Sequence, residues 1–135
     1  LSATQGEIAF SQSVVITEPV DEEDEDTRRL KARCSRFLRP NESILRIQTL
    51  VKTRHLMGQS RVLVLTDLPR FFYVDGENNV LKGSVNIDKK STKITQNGAK
   101  FAVVIAGGKD YDFKADSDVE AKEWVQTIRT AMGVQ

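Results

Sequence analysis

Residues 61–83, RVLVLTDLPRFFYVDGENNVLKG, decide the fold. Ser60 to Thr66 alternates, with Ser60, Val62 and Val64 on one face and Arg61, Leu63 and Leu65 on the other. Asp67-Leu68-Pro69 breaks the pattern. Arg70 to Val74 resumes it with aromatic and β-branched residues, which fit a pleated, half-buried surface. Asp75-Gly76-Glu77-Asn78-Asn79 is turn chemistry, and Val80-Leu81-Lys82 opens another strand. The connections are too short for parallel crossovers, so the stretch predicts an antiparallel meander.

Outward from it, the pattern continues. Upstream, Ser43 to Lys52 predicts a strand through Ile44, Leu45, Ile47, Leu50 and Val51. Thr53 to Gln59 reads as a loop turning at Gly58. Its tip, Leu56 and Met57, either enters a membrane or tucks onto the domain. Downstream, Gly83 to Ile87 completes the fourth strand, with a bulge expected at the glycine. Thr92 to Thr95, Lys100 to Ala106 and Lys109 to Lys114 follow, joined by Gln96-Asn97-Gly98 and by a two-residue Gly107-Gly108 hairpin. Ser117-Asp118-Val119-Glu120 is a capping box. It opens a helix whose apolar face is Ala121, Trp124, Val125, Ile128, Ala131 and Met132, stopped at Gly133.

Thr27 to Leu38 predicts an earlier helix, capped by Asp26 or Thr27. Leu30, Cys34, Phe37 and Leu38 share one face. Arg28, Arg29, Lys31, Arg33 and Arg36 fill the rest, which reads as a solvated surface. The order is helix, about seven strands, helix. This is a mainly β domain: an antiparallel barrel or sandwich closed by the C-terminal helix. Residues 27–135 form it, and residues 1–26 read as a flexible acidic linker. Within that linker, Ile8-Ala9-Phe10 and Val14-Val15-Ile16 are the apolar clusters, a linker or a strand that pairs with a sheet edge of this chain or of a partner.

Composition narrows the function classes. At 135 residues, with 39% apolar content, the chain suits one domain plus a tail. It begins at Leu1, so we expect a piece of a longer protein. No apolar run approaches a membrane span, and the N-terminal stretch lacks the pattern of a signal peptide. A single cysteine, Cys34, forms no internal disulfide and fits a reducing compartment. One histidine and one cysteine leave no zinc site. The net charge of +1 hides a segregation. Residues 1–26 hold eight acids and no Lys or Arg, whereas the remainder holds all 20 basic residues and 11 acids. The domain is therefore basic and favours anionic partners: phosphoinositides, membrane surfaces, nucleic acid or acidic peptides.

Enzymatic constellations are missing. No Gly-rich phosphate loop lies between a strand and a helix, no kinase catalytic loop is present, and His55 has no acid near it in sequence. Catalytic residues, metals and cofactors are not expected. The cations carry the signal. Lys52 and Arg54 end the first strand, Arg61 opens the second, and Lys82 can approach from the following hairpin. A pocket for a polyphosphorylated inositol needs such long cationic side chains on rigid strands. Cations at solvated strand ends give the same pattern without a ligand. Nucleic-acid binding is disfavoured, because no aromatic-interleaved basic strand accompanies the charge.

The element order and the Trp-bearing closing helix resemble the pleckstrin homology (PH) family. More closely, Asn41 to Ile87 is similar to the carboxy-terminal PH domains of the phosphoinositide-dependent protein kinase family, among the AGC-type Ser/Thr kinases. Ile44-Leu45, Leu63-Val64-Leu65-Thr66, Pro69, Tyr73-Val74-Asp75 and Val80-Leu81-Lys82-Gly83 carry that likeness. The extra helix before the first strand belongs to it as well. The resemblance implies a non-catalytic module of an ATP-dependent Ser/Thr kinase. It implies binding of a phosphoinositide or inositol phosphate headgroup, in the cytoplasm and peripherally at the plasma membrane. In that family a 3-phosphorylated headgroup is held by a cation ending the first strand, an Arg-x-Arg pair opening the second, and a later Lys. Lys52 and Arg54 match the first group, Arg61 the second Arg, and Lys82 the last. Gln59 stands where the first Arg of the pair is expected, and Thr53 and Ser60 replace other cations. Losing that Arg removes a charge-assisted contact of about 1.5–3 kcal/mol. The alternative is a PH-fold protein-interaction or dimerisation module with weakened 3-phosphoinositide binding.

Overall fold

The computed structural model describes residues 23–54 and 57–134. Helix α1 spans Glu25–Cys34, followed by a 3-10 turn, Ser35–Phe37. Seven strands follow: β1 (Ile44–Arg54), β2 (Met57–Thr66), β3 (Phe71–Asp75), β4 (Leu81–Ser84), β5 (Thr92–Asn97), β6 (Lys100–Ile105) and β7 (Asp110–Lys114). Helix α2, Asp118–Met132, closes the chain. The strands form one antiparallel sheet in the order β4-β3-β2-β1-β7-β6-β5. The first strand joins its two halves: it pairs with β2 along its length and with β7 only at Val51–Thr53. Leu50, Leu63 and Phe71 from one half share a single core with Phe101, Val103 and Phe113 from the other. The sheet therefore curls around that core, as the mainly β, helix-closed reading requires.

Trp124 fills the closing contact. It is fully buried, stacks on Phe101 at 6.3 Å, lies 6.4 Å from Phe71, and donates from Nε1 to Gln48 Oε1 at 2.7 Å. That bond satisfies the one polar atom of a ring otherwise suited to the core. Ser117 caps α2 by accepting the Glu120 N–H at 3.2 Å, while Glu120 Oε1 is buried without a partner. Only one half of the expected capping box forms. Gly133, at φ 68°, makes the left-handed stop.

A second, smaller cluster explains α1. Val62, Val64, Phe72 and Val74 point away from the main core and pack under Cys34, Leu30, Phe37 and Leu38. Strand β2 is thus buried on both faces from Val62 to Thr66, and its alternation separates two cores rather than core from solvent. The helix starts at Glu25, two residues before the expected Thr27, because Asp24 caps it by accepting the Thr27 N–H at 2.7 Å. The chain leaves α-helical geometry at Ser35, so the expected helix to Leu38 ends in the 3-10 turn.

Further expectations are corrected. Thr53, Arg54 and the residues from Met57 to Gln59 are strand rather than loop: β1 and β2 stay paired to Arg54↔Met57. Met57 is 67% exposed and does not tuck onto the domain. The fourth strand stops at Ser84, and its irregularity lies at Lys82, skipped between Tyr73↔Gly83 and Val74↔Leu81. The β6–β7 connection is four residues, Ala106 to Lys109, so Lys109 is in the turn rather than the strand. The apolar clusters of residues 8–16, residues 21 and 22 of the acidic run, and His55 and Leu56 of the tip lie outside the described residues. No described helix is long and apolar enough to cross a membrane.

Candidate functional site

The register places three hairpin connections at one end of the sheet. Arg54↔Met57 ends β1–β2, Arg61↔Asp75 leads into the β3–β4 turn, and Thr53↔Asp112 brings the β6–β7 turn alongside. Past the irregularity between Ile44 and Arg46, the even-numbered residues Arg46, Gln48 and Leu50 of β1 face the main core, so Lys52 and Arg54 continue that face beyond the apolar layer. On β2, Arg61 and Gln59 continue the face of Leu63 and Leu65 in the same way. Lys52 pairs across the ladder with Gln59. Four sequence-predicted residues therefore share one mouth.

Tyr73 and Tyr111 floor this mouth, their rings 6.5 Å apart. Lys52 Nζ lies 5.3 Å from the Tyr73 ring centre and Lys109 Nζ 5.7 Å from that of Tyr111. Both ammonium groups thus stand over aromatic faces, a favourable cation–π arrangement. Burial pushes the Lys52 ammonium below its usual range, and Lys109, Arg54 and Arg61 press it further down, against the opposing pull of Asp112. Burial also raises the Tyr73 hydroxyl, assisted by Tyr111 and opposed by Arg61 and Arg54.

Arg61 is well enclosed, its side chain only 13% exposed. Nη2 donates to Gln59 Oε1 at 2.8 Å and Nη1 to the Ser60 carbonyl at 2.9 Å. Asp75 Oδ2 stands 3.8 Å away, a long contact, and Arg61 Nε is buried with no partner. Backbone N–H groups of Asn78 and Glu77 donate to Asp75 Oδ1 and hold its carboxyl below the ordinary value. Asp75 is therefore ionised but largely engaged with its own turn.

Lys82 behaves differently. It is exposed on the bulge of β4, and its charge is felt by Asp75 rather than by Lys52. The structure brings Lys52, Arg54, Gln59 and Arg61 together and leaves Lys82 nearer to Asp75 than to Lys52. The residue missed from the sequence is Lys109. A two-residue reading of the Gly107-Gly108 turn put it in a strand. Its place depends on the four-residue turn and on the β1–β7 pairing, neither of which a local pattern specifies.

A groove of about 750 Å³ lies elsewhere, between α1 and β1, lined by Leu30, Leu45, Ile47, Asp116 and Glu120 among others. Its cations are already engaged: Arg29 with Glu25 and Asp26, Lys31 with Glu23, and Arg46 with Glu123. Its electrostatics are balanced, whereas the mouth holds an excess of positive charge.

Three comparisons bear on this architecture. The 3-phosphoinositide-dependent protein kinase B of Dictyostelium discoideum is 35% identical over 95 residues, 70% of this chain. The chain spans 10% of that kinase's length. The C-terminal PH domain of pleckstrin, in complex with D-myo-Ins(1,2,3,4,5)P5, matches with TM-score 0.55 and 22% identity, covering 66% of this chain and 98% of that one. The human PH domain of pleckstrin homology domain-containing protein family A member 5 matches with TM-score 0.55 and 25% identity, covering 73% and 84%. A family model described as PH domain matches residues 32–134, most of the fold described above, and the chain belongs to that family.

Proposed function

We propose that this PH domain binds an anionic headgroup, a phosphoinositide or inositol phosphate, at the mouth formed by Lys52, Arg54, Gln59, Arg61 and Lys109. Lys82 contributes from the rim. One observation carries the reading: Lys52, Arg54, Arg61 and Lys109 converge on a partly buried mouth floored by Tyr73 and Tyr111, where, among the described residues, Asp75 and Asp112 are the acids beside them. Like charges held this close are costly unless a multivalent anion is shared among them. Gln59 supplies a neutral hydrogen bond where a second guanidinium would strengthen the grip. The kinase relative and the inositol-phosphate-bound pleckstrin domain support the same chemistry. The role that follows is recruitment or regulation of a parent Ser/Thr kinase, peripherally at the plasma membrane from the cytoplasm.

Vesicle sedimentation tests this. The protein is expected to pellet with phosphoinositide-containing vesicles and not with neutral ones, and the double variant Lys52→Ala, Arg61→Ala is expected to stay in solution. Equal pelleting of both proteins refutes the assignment. A second reading, a protein-interaction or dimerisation module, draws on Gln59 occupying Arg61 and on the apolar clusters of residues 8–16. Concentration-dependent sedimentation of the chain without lipid would favour it.

A further inference from the structure

We infer that Arg33, on the extra helix α1, is a positioning residue for the basic mouth, so that α1 sets how tightly the mouth holds a polyphosphate. The inference rests on the anion reading above. The sequence offers Arg33 only as one of five cations on an apparently solvated helix face. The structure corrects this. Arg33 forks across the β3–β4 turn: Nη2 donates to the Asp75 carbonyl at 2.5 Å and the Asn78 carbonyl at 3.0 Å, and Nη1 to the Gly76 carbonyl at 3.2 Å. Arg36 donates to the Asn79 carbonyl of the same turn. A planar guanidinium suits this task, since one group fixes several acceptors at once.

The turn in turn touches the mouth in two places. The Asp75 carboxylate is the acid beside Arg61. The Gly76 N–H donates to the Ser60 carbonyl at 3.0 Å, and Ser60 stands between Gln59 and Arg61. This contact is tight. A Cβ on Gly76 would lie 2.1 Å from Ser60 Oγ and 2.9 Å from its carbonyl carbon, so only glycine allows it. The path from helix to mouth is short: Arg33 to Gly76, Gly76 to Ser60, and Ser60's neighbours into the site. Lys82 follows the same turn on β4. A partner or modification that displaces α1 would therefore release Asp75, Arg61 and Lys82 together.

The test uses the 135-residue chain with inositol 1,3,4,5-tetrakisphosphate, followed by calorimetry. Arg33→Ala is expected to weaken binding by about tenfold, and Arg33→Gln, which keeps the stem but loses the fork, by a smaller factor. Leu30→Ala, which trims the apolar packing under α1 but keeps the Arg33 fork and so the seat of the helix on the turn, leaves affinity within about twofold while lowering stability. The side-chain Nε–Hε resonance of Arg61 provides a readout without ligand: it moves in the Arg33 variants and not in Leu30→Ala. An unchanged affinity and resonance in folded Arg33 variants, or equal effects from Leu30→Ala, would overturn the inference. If the wild type binds no inositol phosphate, the headgroup reading fails, and the Arg61 resonance still decides the role of Arg33.

Discussion

Two arginines of the same meander, Arg70 and Arg61, are put to opposite uses. Arg70 is closed into a lock. Its Nε and Nη2 donate to the two oxygens of Glu42 at 2.8 and 2.7 Å, Nη2 also reaches the Phe37 carbonyl at 2.8 Å, and the guanidinium lies 4.9 Å from the Phe72 ring centre. Glu42 is completely enclosed by these groups, by Thr66 Oγ1 and by the Arg39 N–H. Arg61 has a neutral amide, a carbonyl and one long carboxylate contact, with Nε left over. Whether a carboxylate lies within bidentate reach decides which cation braces the fold and which remains available. One fastens the 3-10 turn after α1, together with Glu42, to the sheet, and the other is left for a ligand.

The largest effect belongs to the lock. Arg70→Ala leaves Glu42 as a buried, uncompensated charge and is expected to destabilise the domain by about 3–5 kcal/mol. A urea unfolding curve measures it, and a loss under 1 kcal/mol would show that the pair contributes little. Acid tests the same pair. Arg70 holds the Glu42 carboxyl down from 4.5 to about 2. A depressed carboxylate contributes stability that is complete above its unfolded value and disappears as pH falls through the folded one. We expect about 2–3 kcal/mol to be lost between pH 5 and pH 2, with that part of the slope absent in Glu42→Gln. A slope identical in the variant breaks the assignment.

The mouth should respond in affinity rather than stability. Gln59→Arg is expected to tighten inositol tetrakisphosphate binding about tenfold, because it adds a charge-assisted contact beside Arg61. A weaker complex would mean that Gln59 itself is a required ligand. Lys109→Ala should weaken binding by about fivefold or more, whereas Lys82→Ala, nearer to Asp75, should cost less than about threefold. A reversed ranking would move the site toward β4.

Much of this was legible beforehand. The alternation of Val62 to Leu65, the aromatic run Phe71 to Tyr73 and the Trp124 face carry the fold, because period and capping are local properties. Lys52, Arg54, Gln59 and Arg61 could be placed together, since strand parity and one hairpin suffice. The burial of both faces of β2 was not legible, because a helix far back in sequence supplies the second cover. Nor was the contrast between Arg70 and Arg61, as Glu42 lies 28 residues from its partner. Lys109 escaped because its position depends on a turn length that two glycines do not specify.

The central claim is that the open cations, and not the locked ones, hold an anion. A co-crystal structure with inositol 1,3,4,5-tetrakisphosphate tests it most directly. The account predicts phosphates within hydrogen-bond distance of Lys52, Arg61 and Lys109, with the Glu42–Arg70 pair unchanged. A headgroup seated in the α1–β1 groove, or none at a saturating concentration, would contradict it.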